Sequence, residues 1–181
     1  MIRTRSHWRI AAGLAIGALF VSNCWADSIF LGAQGRTLGV FRGASGGPAP
    51  GMTPVVKFAF DVRISTDASS GAVNGRRQYT PVRVTKLLDA SSALYLLAAT
   101  RNETLTNVTI NFLATGTDGK AIIVRSLVLT NAQVVAVEHY SEPDATGAPV
   151  VMEQISFNFQ KYTWTENAAG LAAMDDMTVG P

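Results

Sequence analysis

The sequence predicts a mainly β protein, either an antiparallel barrel or a tight sandwich, with one short helix. In several segments apolar residues occupy every second position, which is the period of a strand with one buried face. Only one segment has the features of a helix. Hydrophobic residues make up 48% of the 181 residues and charged residues 15%, so the chain can bury a core and is not of the disordered class. About six or seven strands fit this pattern.

The first 26 residues have the organisation of a secretory signal peptide. The basic start contains no acid and carries three arginines: Arg3, Arg5 and Arg9. An apolar run of 12 residues follows at 10–21, and it is shorter than the roughly 20 residues that span a membrane. Ala26 ends the segment, which predicts cleavage between Ala26 and Asp27. The predicted organisation is a signal peptide at 1–26 and one domain at 27–181.

Two alternatives to this cleavage stay open: Cys24 as the modified residue of a lipoprotein signal, or an uncleaved amphipathic anchor. Cleavage after Ala26 leaves 181 − 26 = 155 residues, with 12 Lys and Arg, 13 Asp and Glu, and a net charge of −1. This charge does not favour nucleic acid as a partner, and no membrane contact is expected after the signal is removed. The signal favours a secreted or periplasmic location over a cytoplasmic one, which suits a domain without cysteine.

The strand predictions rest on alternation along the chain. Seven segments are predicted as strands: 29–31, 56–64, 78–86, 108–112, 122–130, 133–140 and 155–159. Pro81 indicates that the third is an edge strand or begins irregularly, and Asn131 predicts a turn or bulge between the fifth and the sixth. Loops are predicted at 43–51 and 65–75. Inward-facing positions of the clearest strands are predicted to form the core: Phe58, Phe60, Ile110, Phe112, Ile155, Phe157 and Phe159.

The single helix is predicted at 93–99. Asp89, Ser91 and Ser92 stand before it and can cap its first turn. The run itself contains no β-branched residue, and Arg101 with the following Asn can end it.

The search for catalytic chemistry finds no complete site. His139 is the single histidine of 27–181, and its neighbour Glu138 points to the opposite face of a strand. Asp175 and Asp176 are interpreted as a solvated turn, and Arg77 with its neighbour Arg76 as strand-edge charge. No nucleophile elbow, phosphate loop or dinucleotide fingerprint is present in the sequence. The sequence therefore predicts no enzyme, no cofactor and no metal.

Four stretches carry motifs whose order and spacing are specific together. Residues 75–94 read GRRQYTPVRVTKLLDASSAL, in which a strand ends in Thr-Lys and an Asp and a Ser-Ser pair open the helix. Residues 152–164 read MEQISFNFQKYTW, residues 129–135 read LTNAQVV and residues 27–31 read DSIFL. These stretches resemble the haemolysin-coregulated protein (Hcp) family, which forms the tube of type VI secretion systems.

The resemblance implies a β-barrel of two antiparallel sheets with one short flanking α-helix, and a structural protein without catalysis. It also implies six copies in a ring, rings stacked head to tail, and spike or effector proteins of the secretion system as further partners. In the family, the loop after the second long strand reaches toward the next ring. The candidate stacking loop here is 67–77, with these residues: Asp67, Ser69, Ser70, Asn74, Gly75, Arg76 and Arg77.

Two classes of function follow from the sequence. The first is a ring-forming structural subunit or an exported homologue of one, since family members that build the tube generally lack a cleavable signal. The alternative is an exported monomeric β-barrel binding module for a protein or carbohydrate partner.

Overall fold

The computed structural model describes residues 28–178, without the side chains of 74–76. The predicted signal peptide, with Ala26 and Asp27, lies outside the described residues. The described part contains eleven strands and one helix: β1 (Ser28–Gly35), β2 (Gly39–Phe41), β3 (Thr53–Ala59), β4 (Val62–Thr66), β5 (Val73–Tyr79), β6 (Val82–Leu87), α1 (Ser92–Thr100), β7 (Thr104–Thr115), β8 (Ala121–Pro143), β9 (Pro149–Asn158), β10 (Lys161–Glu166) and β11 (Leu171–Asp176). No helix of this part is long and apolar enough to cross a membrane.

Six strands close into a ring-like sheet in the order β8-β7-β1-β3-β6-β9 and back to β8. Strands β10 and β11 extend this sheet from β8, and β2 pairs with β1. Strands β4 and β5 form a separate two-stranded sheet. The fold is therefore mainly β with one short helix, as the sequence predicted.

The long strand β8 closes the ring. The sequence predicted two strands, at 122–130 and 133–140, but the structure has one continuous strand of 23 residues. Gln133 pairs with Thr104 of β7 on one side and with Asn158 of β9 on the other. Asn131 has φ +49°, but the pairing with β7 keeps one register across it, with Leu105 opposite Ala132 and Asn107 opposite Thr130. The predicted turn or bulge at Asn131 was therefore wrong, because the flanking pairs continue the strand through this position.

Two other predicted strands are each divided in the structure. The segment 56–64 breaks at Phe60 and Asp61, and the segment 78–86 breaks at Thr80 and Pro81. Between the breaks, β4 and β5 pair only with each other, so the predicted loop at 65–75 is a hairpin with a short turn. The prediction of two single long strands was wrong, because alternation is a local pattern and does not indicate which sheet a residue joins. Proline also lacks the N–H that continued pairing would need.

The predicted core is confirmed. Ile110, Ile155 and Phe157 are fully buried, Phe112 and Phe159 nearly so, and Phe58 and Phe60 pack against this core while remaining partly exposed. Helix α1 packs on the ring-like sheet through Tyr95. The aromatic ring of Tyr95 meets that of Phe157 edge-on, with 6.0 Å between centroids.

Candidate functional site

The candidate site is the arm, which we define as residues 62–79, comprising β4, β5 and their turn. Its strands pair antiparallel, with Ile64 opposite Arg77, and they join no other strand of the described residues. Every residue of β4 is exposed. The arm therefore stands apart from the ring-like sheet.

The turn at the tip of the arm is held by one carboxylate. Asp67 Oδ1 accepts hydrogen bonds from the backbone N–H groups of Ser69 and Ser70, both at 2.9 Å, and from their hydroxyl groups. These bonds, with the Ser69 hydroxyl first, hold the pKa of Asp67 well below its usual range. Gly71 has φ +68°, a conformation that suits glycine. The tip is thus preformed and negatively charged.

Apolar side chains of the arm are exposed to water. The exposed fraction is 42% for Val62, 53% for Ile64 and 68% for Val73. Grouped apolar residues without a partner are typical of a surface that contacts another protein. The arm therefore has the composition of a docking element.

The base of the arm packs on an aromatic cluster. Phe60 stacks on Trp164 with an interplanar angle of 12° and meets Tyr162 edge-on. Tyr79 meets Phe159 edge-on at 5.8 Å between centroids. This cluster anchors the root of the arm to the sheet.

A carboxylate on β11 also holds the arm. Arg77 Nη2 donates to Asp175 Oδ1 at 2.7 Å, and the Tyr79 hydroxyl donates to Asp175 Oδ2. The Tyr79 bond first, and then Arg77, lower the pKa of Asp175, while burial raises the pKa of Tyr79. The interpretation of Asp175 and Asp176 as a solvated turn was wrong, since both end a strand. Asp175 is 98 residues from Arg77, so no local pattern could have linked them.

The structure divides the predicted stacking residues between two elements. Asp67, Ser69 and Ser70 lie in the turn. The others lie on β5 rather than in a loop: Asn74, Gly75, Arg76 and Arg77. Among these four, a side-chain contact is described for Arg77.

Outside the arm, the described residues hold little that could act chemically. His139 Nε2 lies 2.9 Å from Glu153 Oε1, so His139 is a hydrogen-bonded residue of the sheet. No group of three or more metal-binding side chains occurs within residues 28–178. A cleft of about 750 Å³ is lined by Arg36, Gln133 and Gln160 among others, without any carboxylate or histidine. It therefore offers no general acid or base near neutral pH.

Comparisons with known proteins agree on one family. The family model described as "Type VI secretion system effector, Hcp" matches residues 47–165, which include the whole arm. The "Major exported protein" of Pseudomonas aeruginosa is 34% identical over 122 residues, which are 66% of this chain and 71% of that protein.

Solved structures share the fold. The Hcp1 protein from the E. coli pathovar EAEC 042, in a mutant form, superposes with a TM-score of 0.74 at 24% identity and covers 84% of this chain and 99% of its own. The secreted protein Hcp3 from Pseudomonas aeruginosa superposes with a TM-score of 0.67 at 24% identity, over 83% of this chain and 98% of its own.

Proposed function

Because the chain belongs to the Hcp family of type VI secretion system tube proteins, we propose that its arm joins successive rings of the tube. Members of this family are non-catalytic structural subunits that form hexameric rings. The contact that remains to be assigned is the one between rings. The observation that carries the proposal is the arm itself, which is exposed, apolar in part and preformed at its tip.

The size and charge of the domain support a model in which one surface forms the ring and the arm stacks rings. A domain of about 150 residues buries a sufficient core by itself, so assembly is not needed for folding. A closed ring uses two different patches of each subunit, related by rotation, and stacking needs a further surface. The net charge of −1 for residues 27–181 keeps repulsion between copies low. An arm outside the sheet can thus make inter-ring contacts without disturbing the ring.

The test is deletion of residues 68–73, which removes the tip of the arm. We expect hexamers to persist in size-exclusion chromatography with light scattering, while electron microscopy shows no long tubes. A finer variant, Asp67→Ala, removes the carboxylate that shapes the turn. Its matched control is Asp144→Ala, because Asp144 Oδ1 shapes the exposed turn between β8 and β9 in the same way, bonding Thr146 and Ala148.

Three outcomes would contradict the proposal. Tubes of unchanged length after the deletion would show that the arm does not join rings. Loss of the hexamer itself would place the arm in the ring interface instead. A monomer at high concentration in the unmodified protein would favour the alternative, an exported binding module for a protein or carbohydrate.

The proposal includes export of the precursor through a Sec-type signal peptide. The basic start, the apolar run at 10–21 and Ala26 support it. Mass spectrometry of the secreted or periplasmic protein is expected to give Asp27 as its first residue. A chain that begins at a lipid-modified Cys24 would support the lipoprotein alternative. An intact Met1 on a cytoplasmic product would contradict the proposed export.

Beyond its own copies, the proposed partners are spike or effector proteins of the secretion system. We propose these partners because the subunits of this family form the tube of the same secretion system. Co-purification of such a protein with intact hexamers, and not with a variant that fails to form rings, is the result expected.

A further inference from the structure

Two short connections join the arm to the ring-like sheet. Phe60 and Asp61 lead into β4, and Thr80 and Pro81 lead out of β5. The Thr80 amide donates to the Asp61 carbonyl at 3.3 Å, which keeps the two connections side by side. Since β4 and β5 pair with no other described strand, sheet hydrogen bonds do not determine the direction of the arm.

Two side chains of β5 meet one carboxylate of β11. Arg77 and Tyr79 are two residues apart on a strand and so project from the same face. The Arg77 guanidinium contacts both Asp175 oxygens, through Nη2 to Oδ1 at 2.7 Å and through Nε to Oδ2. The Tyr79 hydroxyl donates to Oδ2 as well. We call these three residues the clamp.

The clamp differs from an ordinary surface ion pair. The Asp175 side chain is 16% exposed and that of Arg77 is 35% exposed, so water and salt screen the pair less than they screen fully exposed charges. A guanidinium that contacts a carboxylate with two nitrogens also imposes a relative orientation. The clamp therefore constrains where the arm points as well as where it is attached.

The aromatic contacts at the base cannot supply this constraint alone. Tyr79 packs against Phe159 and Tyr162 with centroids 5.8 and 5.6 Å apart. Burial of apolar surface is favourable but non-directional, so these rings allow the arm to tilt. Arg77 lies farther along the arm than Tyr79, where a fixed contact limits tilting.

We infer that Asp175 is a positioning residue for ring stacking, which holds the arm in the direction that brings its tip to the next ring. This inference rests on the proposed role of the arm. The family match ends at residue 165, so membership of the family assigns no role to Asp175.

The test compares Asp175→Asn with Asp176→Asn in the full chain. Both variants remove one negative charge, but the Asp176 carboxylate bonds Thr178 and has no described contact with the arm. Hydrogen exchange of the backbone amides of 62–79 measures how firmly the arm is held, and tube length in electron microscopy measures stacking. We expect Asp175→Asn to raise exchange in the arm about tenfold, as loss of a charged hydrogen bond would, and to shorten tubes while hexamers persist. We expect Asp176→Asn to match the unmodified protein.

A second pair of variants tests the clamp from the side of the arm, so that poor folding of Asp175→Asn does not decide the result. Arg77→Gln changes no residue of the ring-like sheet and is expected to reproduce both effects. The charge-swapped double variant, Arg77→Asp with Asp175→Arg, is expected to restore slow exchange and part of the tube length.

Unchanged exchange in both Asp175→Asn and Arg77→Gln would overturn the clamp. Raised exchange with tubes of normal length would overturn the role of Asp175 in stacking. Tubes that survive deletion of 68–73 would instead overturn the proposed function of the arm, and the exchange data would still decide whether the clamp exists.

Discussion

Lys86 and Glu153 form a fully buried ion pair across neighbouring strands, with Lys86 Nζ 2.7 Å from Glu153 Oε2. The two residues are direct partners in the β6–β9 pairing. Lys86 Nζ donates to the Leu87 carbonyl, to Asp89 Oδ1 and to the Ser92 hydroxyl at 3.2, 2.9 and 2.8 Å. The pair therefore connects two strands of the ring-like sheet, β6 and β9, to the first turn of the helix.

Lys86→Met is expected to lower the free energy of unfolding by about 3–5 kcal/mol, because Glu153 would stay buried without its counter-charge. Urea denaturation at one fixed protein concentration measures this loss, since assembly also contributes to stability. The double variant Lys86→Met with Glu153→Gln is expected to lose less than the single one. A single-variant loss below about 1 kcal/mol would show that the buried charge is not structurally important.

Phe157→Ala is expected to destabilise the protein by about 3–5 kcal/mol, as large-to-small changes in a core do. Phe157 is fully buried and packs on Tyr95 of the helix. The matched control is Val151→Ala on the same strand, where the exposed fraction is 51% and the loss should stay within about 0.5 kcal/mol. Equal losses in the two variants would contradict the register of β9.

Asp89 is expected to make the protein sensitive to acid. Burial raises the pKa of this carboxyl, but hydrogen bonds from Ser91, Thr53 and Lys86 outweigh it and lower the pKa from 3.8 to about 2. Because the pKa of the folded state lies below that of the unfolded state, Asp89 stabilises the fold above about pH 4 and loses this effect as the pH falls toward about 2.

The variant Asp89→Asn is therefore expected to lose less stability than the unmodified protein between about pH 5 and pH 2. Thermal melts across this range measure the difference. The control is Asp118→Asn, which removes one carboxylate from an exposed turn instead. Parallel curves for Asp89→Asn and the unmodified protein would contradict the assignment.

Asn131 is expected to tolerate glycine and to reject a β-branched residue. Its φ of +49° is strained for most side chains but open to glycine. Asn131→Val should cost about 1–2 kcal/mol more than Asn131→Gly. Both variants lose the hydrogen bond to Gln160, which measures 3.0 Å, so their difference isolates the backbone. Equal thermal midpoints would show that the backbone at 131 relaxes.

Local patterns were sufficient to predict the class of the fold and most of its core. Alternation placed Ile110, Ile155 and Phe157 inside, and all three are fully buried. Polar residues before a run without β-branched side chains located the helix to within a residue of Ser92–Thr100. The predicted capping was wrong in detail, because the Ser91 side chain makes no capping hydrogen bond and Ser92 is already the first residue of the helix. These features depend on neighbours in the chain, so the chain alone carries them.

Local patterns could not predict which strands pair. Val62 and Ile64 continue the alternation of β3, yet they lie exposed on the arm in a different sheet. Pro81 indicated in the sequence that this strand is irregular. Nothing near it indicated that the residues before it pair in a separate sheet. Among the candidate residues, Asp67 and its serines lie in a segment that the sequence predicted as a loop. The pairing of Gln133 with both β7 and β9, in contrast, depends on strands far along the chain.

By itself, the sequence determined that this protein is mainly β with one helix, and that alternating apolar residues form its core. It also carries the motifs of its family. Each of these features depends on residues that are close together along the chain. Only the tertiary structure decided that two of the alternating segments leave the sheet as an arm, and that Asp175 holds it through Arg77. That contact joins residues 98 positions apart. The pairing of β11 with β10, and of β10 with β8, gives Asp175 its place in the sheet, and no local preference of the chain specifies these pairings.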